Sequence, residues 1–289
     1  MSAELTLTQK IVEVDLILRV NEFVGGGNTK TINGLACSVN ASKHGMPTFN
    51  ACSIDIYNMR QEDIDKIVVD SPYQGDMKRN LVAIRAGEAG GTLSQVFSGE
   101  ILNAYAIYPS ADVGVHIEAL TGIFPALIVA KPFTAPGAVS ALTIIEQYTR
   151  EMEYELEIHP EVEDKPLTDP VYNGSPMEKV KQVAKDIGVR QICDDRKIII
   201  LPRDKPLGEI VRVSPKAGII GYPEVSNGKI RFKHIYHPGF RQGGIAEVYE
   251  SVVPRANGKW NIIKIEHNLQ CFGAGDAWET EITGTKHYG

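Results

Sequence analysis

The most restrictive stretch of the sequence is its end, residues 218–283, where apolar and polar residues alternate between recurring turn signals. Asn227-Gly228 separates two alternating runs. Asn and Gly both tolerate positive φ, which a two-residue type I′ hairpin turn requires at both central positions. The next run puts Ile230, Phe232, His234 and Tyr236 on one side and Arg231 and Lys233 on the other, which predicts one buried and one wet face. Pro238-Gly239 stops this strand, and Gly243-Gly244 lets the chain restart at Ile245. Asn257-Gly258 leads into a strand from Trp260 to Leu269. After Gly273, Gly275 and Asp276, residues Trp278, Thr280 and Ile282 alternate with Glu279 and Glu281. Both tryptophans are expected to pack this last unit and not to form a ligand platform. Five short strands in so little chain predict a small barrel, because closure removes edges that would pair with other chains.

The first part of the chain has the same period. Val12, Val14, Leu16 and Leu18 place a strand over 10–19, and Cys52, Ile54 and Ile56 define another. Gln61 to Val69 reads as a short helix, with Ile64, Ile67 and Val68 on one side. Strands follow over Leu81–Ala86 and Leu93–Asn103, with a turn at Gly87–Gly91 between them. The last runs from Asp112 to Leu120, with Val113, Val115, Ile117 and Ala119 on its apolar phase. Residues 1–125 are therefore expected to form a second antiparallel β unit.

Over 126–206 the period changes to that of a helix. Ala138, Ala141, Leu142, Ile145 and Tyr148 share a helical face after Pro136-Gly137. Glu151, Glu153, Glu155 and Glu157 then alternate with Met152, Tyr154, Leu156 and Ile158, predicting a half-buried strand with an acidic outer face. Residues 159–174 read as a loop. Ser175-Pro176-Met177-Glu178 is a capping box with Pro at the first helical position, Met177, Val180, Ala184 and Ile187 form the apolar stripe, and Gly188 ends the helix. Val189–Cys193 and Ile198–Leu201 are strands around an Asp194-Asp195-Arg196-Lys197 turn, so helix-then-strand occurs twice.

Few residues suggest chemistry. Gly25-Gly26-Gly27 lacks the Lys-Ser/Thr ending of a phosphate-binding loop and reads as a surface loop. Glu62, Asp63 and Asp65 suit the positive end of a helix and read as a solvated helix start. The four glutamates from 151 to 157 sit too far apart along a strand for one tight site, at roughly 7 Å per same-face step. His116 lies on a polar phase without a His or Cys neighbour and reads as a surface residue, while His234 and His237 straddle a strand end. Cys37, Cys52, Cys193 and Cys271 contain no Cys-x-x-Cys pair and read as small buried hydrophobes. No Gly-x-Ser-x-Gly or His-Glu-x-x-His occurs. No catalytic, cofactor-binding or metal-ligating residue is assigned, and no cofactor is expected. A carboxylate pair for glycoside hydrolysis is assembled in space, so a polysaccharide- or cell-wall-degrading enzyme and a carbohydrate-binding module stay open as alternatives.

Charge argues against a nucleic-acid binder. Residues 1–125, 126–206 and 207–289 carry net −5, −3 and +2, with no clustered positive surface to displace counterions. No apolar run is long enough to span a membrane, and the first residues do not read as a secretory signal.

Several of these residues carry a resemblance. The series Gly221-Tyr222-Pro223, Pro238-Gly239-Phe240 with Gly243-Gly244, His267-Asn268-Leu269 and Trp278-Glu279-Thr280 resembles the C-terminal tube domain of contractile-tail baseplate hub proteins, shared with the front part of type VI secretion spike proteins. His237 stands where such proteins often have Asn. Phe97-Ser98-Gly99-Glu100-Ile101 is similar to a strand of their first domain, and the double helix–strand unit to their middle segment. The resemblance implies a mainly β fold with an α/β insert, in which two small antiparallel β-barrel tube-like domains (1–125 and 207–289) flank a helix–strand segment (126–206). It further implies a non-enzymatic bacteriophage tail protein: a homotrimeric hub, pseudo-six-fold, between a hexameric tail tube and a trimeric spike. DNA would only pass through its lumen, and it would be assembled in the host cytoplasm and reside in the virion baseplate.

Overall fold

The structure is a computed structural model that describes residues 8–19, 22–45, 48–68, 80–108, 113–127, 130–273, 275 and 277–288. Of the sequence expectations, those for Val69, Asp112 and Asp276 lie outside the described residues. The first unit contains β1 (Lys10–Ile17), β2 (Thr29–Ile32), β3 (Cys37–His44), β4 (Asn50–Tyr57), α1 (Gln61–Ile67), β5 (Leu81–Glu88), β6 (Ser94–Ile107) and β7 (Gly114–Thr121). Alternation decides which face of each strand is buried: Val12, Val14 and Leu16 on β1, Ile54 and Ile56 on β4, and Val115 and Ile117 on β7 all enter one core. The sequence reading omitted β2 and β3, because Cys37–His44 is rich in small polar residues and shows little apolar contrast.

The middle segment opens with α2 (Ile123–Leu127), β8 (Phe133–Thr134) and β9 (Ala138–Ser140), then α3 (Ala141–Glu151) and β10 (Glu155–Ile158). After β11 (Pro166–Thr168) and β12 (Val171–Tyr172) come α4 (Pro176–Asp186), β13 (Val189–Asp194) and β14 (Lys197–Pro202). The expected capping box is present at α4: the Ser175 side chain accepts from Glu178 N, and the Glu178 side chain accepts from Ser175 N. Two boundaries differ from the sequence reading. Ala138 belongs to β9, because Ser140 caps α3 by accepting from Thr143 N. Helix α3 also runs on through Glu151, and Glu153 turns the chain with φ 58°, so only Glu155 and Glu157 of the four glutamates lie on a strand. All four are nevertheless exposed. The predicted 159–174 loop holds β11 and β12, which pair with β9 and β8.

The last unit contains β15 (Val211–Val213), β16 (Ile219–Ser226), β17 (Lys229–Ile235), β18 (Ile245–Val248), β19 (Gly258–Cys271) and β20 (Trp278–Lys286). Asn227 and Gly228 have φ 50° and 72° at the β16–β17 turn, as the hairpin requires. Among the described residues strand makes up 50% and helix 14%, which fixes the mainly β class.

The two outer units share one sheet. Its path runs β16-β17-β20-β19-β3-β4-β7-β6-β5-β1-β2, with β15 and β18 branching from β19. The switch occurs within β19, a strand of 14 residues. Its first residues pair with β18, a register shift falls between Ile262 and Lys264, and residues from Lys264 to Cys271 then pair with β3. The expected picture of two separate barrels is thus modified: among the described residues the ladders join the units edge to edge and do not close on themselves. Leu269, Cys271 and Trp278 consequently pack into the core of the first unit. Trp260 lies in the last unit's own core, as expected, but Trp278 does not.

Candidate functional site

Two features stand out: a polar sheet face and a buried junction. The polar face is built by the residues that alternate with the core. It runs without a break from Arg231 and Lys233 on β17, through Glu279, Glu266, Asn40 and Ser53, to Glu118 on β7. A shallow depression of about 580 Å³ lies on it, bordered by Glu118, Glu266, Glu279 and Glu281 with one lysine, Lys233, which pairs with Glu279 at 2.7 Å. His116 also lies on this face and is half-buried, not a free surface residue. Its Nδ1 is 2.6 Å from Asp55 Oδ1, and its Nε2 lies 3.8 Å from Glu118 Oε1. A carboxylate therefore stands where a hydrolase triad needs a nucleophile.

At the junction the β13–β14 turn enters the joined sheet. Asp195 and Arg196 occupy the turn with φ 48° and 59°, so the chain reverses in two residues. Lys43 of β3, 5% exposed, bonds Asp194 at 2.9 Å and Asp195 at 2.7 Å. Asn50 Nδ2 donates to Asp194 at 3.0 Å, and Ser98 N donates to Asp195 at 3.0 Å. Arg196 donates to Glu100 at 3.2 Å and to Glu153 O at 2.9 Å. The Tyr154 hydroxyl donates to Glu100 at 2.9 Å while accepting from Gly122 N at 2.8 Å.

Electrostatics here is a contest between burial and pairing. Burial opposes the charge on Lys43, but Asp194 and Asp195 outweigh it and its pKa is raised. Burial pushes Asp195 up to about 6 against the pull of Lys43, and raises Glu100 against Arg196 and Tyr154. His267, 5% exposed and bonded to Thr280 Oγ1 at 2.9 Å, is held down to about 3 by burial and by the charge on Lys43.

The glycines of the two sequence series have a concrete role at this junction. A Cβ on Gly99 would meet Leu120 O at 2.6 Å. One on Gly243 would meet Ile192 Cδ1 of β13 at 2.6 Å, and one on Gly244 would meet Leu207 O at 2.8 Å. Gly99 thus allows the close approach of neighbouring strands β6 and β7, and Gly243 that of the last unit to β13. Gly221-Tyr222-Pro223 instead forms a bulge on the edge strand β16, with Tyr222 76% exposed.

The remaining candidates resolve individually. Gly25 to Gly27 form an exposed turn with positive φ at each residue. Glu62 and Asp65 are exposed, but Asp63 is 2% exposed and paired with Lys30, so this helix start is not wholly solvated. The sequence pattern of α1 could not show this, since Lys30 lies on β2. The His234 and His237 rings meet edge-on at 6.2 Å, but their nitrogens are engaged elsewhere: His234 is bonded to the carbonyls of Ala217 and Ile235, and His237 Nδ1 accepts from Gly239 N. Among the described residues no group of three or more His, Cys, Asp or Glu is arranged to hold a metal.

A family model described as baseplate hub gp41 matches residues 17–274. The chain belongs to the baseplate hub gp41 family. This hub protein is accordingly a bacteriophage tail component with a structural and not a catalytic role. Solved structures share its fold. The prophage MuSo2 43 kDa tail protein from Shewanella oneidensis has a TM-score of 0.63 at 9% identity, over 96% of this chain and 97% of that one. A tail protein from Neisseria meningitidis MC58 gives 0.63 at 8% identity, over 96% and 97%. The E. coli c3393 protein is described as a type VI secretion component structurally similar to T4 tail proteins gp27 and gp5. It gives 0.58 at 10% identity, over 88% and 74%. No curated protein matches the chain in sequence.

Proposed function

We propose that this hub protein assembles as a homotrimer whose first and last units, 1–125 and 207–289, together present six similar elements around a lumen. The 126–206 segment braces them from outside. The ring joins a hexameric tail tube to a trimeric spike, and two related units per chain let three subunits match a six-fold partner. The observation that supports this reading is the β3–β19 ladder, which makes the two units one continuous wall with a polar face. That face is the candidate lumen surface. Its depression is edged by four carboxylates, and its lysine is already paired, so it offers DNA phosphates repulsion and not a hold. The likeness to a protein described through tail proteins gp27 and gp5 supports spike and baseplate partners. Assembly takes place in the host cytoplasm before incorporation into the virion.

Co-expression with the tube and spike proteins of the same phage, followed by electron microscopy, tests the proposal. A three-chain ring coaxial with the tube is expected, with Asn40, Glu266 and Glu279 facing the axis. A complex of any other stoichiometry, or one with this face turned outward, would overturn it.

A further inference from the structure

We propose that Cys37 and Cys271 form a latent cross-strand disulfide, a peroxide-oxidisable site that staples β3 to β19. The two residues are direct partners in that ladder, so their side chains leave the same face of the sheet. Residues opposed in an antiparallel ladder have Cα atoms roughly 4.5–5.5 Å apart, within the roughly 4.4–6.8 Å span of a disulfide. Both are buried free thiols, 1% and 4% exposed. The Cys271 thiol donates to Leu35 O at 3.8 Å. Cys37 lowers the pKa of Cys271 to about 7 although burial opposes this, and the Cys37 pKa is raised. The remaining cysteines have no such partner opposite them: Cys52 faces Ala41 and Ala119, and Cys193 faces Ile198. Burial raises both of their pKa values.

The oxidant is hydrogen peroxide, small enough to reach a buried pair. The Cys271 thiolate attacks one peroxide oxygen and the O–O bond breaks. Cys271 becomes a sulfenic acid, and hydroxide leaves to take up the proton that the thiol had released, giving water. The Cys37 sulfur then attacks the sulfenic sulfur. The S–S bond forms, the S–O bond breaks, and the hydroxyl departs with the Cys37 proton as a second water. Two thiols are oxidised by two electrons and one peroxide is reduced. The bridge locks the ladder through which, among the described residues, the sheet passes from the first unit to the last. This inference is independent of the hub's ring geometry.

The test treats the full-length chain with stoichiometric peroxide, blocks remaining thiols after denaturation and maps unreduced peptides by mass spectrometry. A Cys37–Cys271 bridged peptide is expected, with Cys52 and Cys193 still alkylated. The melting temperature should rise by about 4 °C and return on reduction. Cys37→Ala removes both the bonding partner and the group that lowers the Cys271 pKa, so it should show neither the bridge nor the rise. Sulfinic acid on Cys271 without a bridge, a bridge to Cys52 or Cys193, or four unchanged thiols would each overturn the proposal. If Cys37→Ala does not fold, the wild-type peptide map decides alone.

Discussion

Lys43 Nζ lies 2.7 Å from Asp195 Oδ2, although 152 positions separate the two residues in the chain. The ammonium is shared with Asp194 at 2.9 Å, so one cation on β3 balances a two-carboxylate turn of the middle segment. Breaking a buried pair by removing one partner leaves charge uncompensated in a poorly solvated place. Lys43→Met should therefore cost about 3–5 kcal/mol in urea unfolding. Asp195→Asn should cost less. Asn tolerates positive φ, can still accept from Ser98 N, and leaves Lys43 paired with Asp194. Equal costs for the two variants would contradict this account of the junction.

His267 gives the fold an acid limb. Its folded pKa of about 3 lies below the ordinary histidine value, so below pH 6.5 the unfolded chain binds a proton that the folded one refuses. Stability should fall as pH drops from 6.5 toward 3, by about 1.4 kcal/mol per unit from this group. Asp195 acts in the opposite sense. Its folded pKa of about 6 is raised, so its contribution falls as pH rises between about 4 and 6. The His267→Gln difference isolates the first effect: stability of wild type minus variant should rise with pH between 4 and 6. A flat difference would show that His267 is not buried neutral.

Most of the fold could be read from periodicity, and the parts that could not share a cause. Alternation found β1, β4, β5, β7 and β17, because each shows an apolar face against a polar one. Strand β3 carries Cys, Val, Ala and Lys on its buried phase, and lysine there reads as solvent-facing until Asp194 and Asp195 are seen beside it. Asp63 was misread for the same reason, since Lys30 lies on another element. The capping box of α4 needed only neighbouring residues, and so it was legible. The β3–β19 ladder joins residues more than 200 positions apart, and no local pattern encodes that pairing. The motif residues themselves were found, but not their use: Phe97-Ser98-Gly99-Glu100 reads as a strand, while Ser98 N and the Glu100 carboxylate dock the middle segment.

Trp278 tests the joining of the units. It is 7% exposed, packs in the first unit's core, and meets Tyr236 edge-on at a ring distance of 5.5 Å. Lys10 Nζ lies over its ring at 5.8 Å. Trp278→Ala should cost about 3–5 kcal/mol. Hydrogen exchange should then quicken in β1 as well as in β20, although β1 lies at the other end of the chain. Trp260→Ala, in the last unit's core, should leave β1 protection closer to wild type. Identical exchange maps for the two variants would show that the cores are not divided in this way.

Gly243 tests whether the Gly-Gly pair is there for close approach. Its φ of 80° already disfavours a side chain, and an added Cβ would meet Ile192 Cδ1 at 2.6 Å. The neighbouring backbone is also committed: Gly243 O accepts from Leu207 N at 2.9 Å and from Arg190 Nη2 at 3.3 Å. Gly228 is the matched control, with φ 72° and nothing within 4 Å of an added Cβ. Alanine there pays only for the backbone conformation, about 1 kcal/mol. Gly243→Ala should pay that and also push against β13, at a total of about 2–4 kcal/mol. Combining Gly243→Ala with Ile192→Val removes the methyl group that the new Cβ would strike. The double variant should recover part of the loss, while Ile192→Val in the wild-type background should itself cost about 1 kcal/mol. Strict additivity of the two changes would mean that Gly243 is required for its backbone conformation alone.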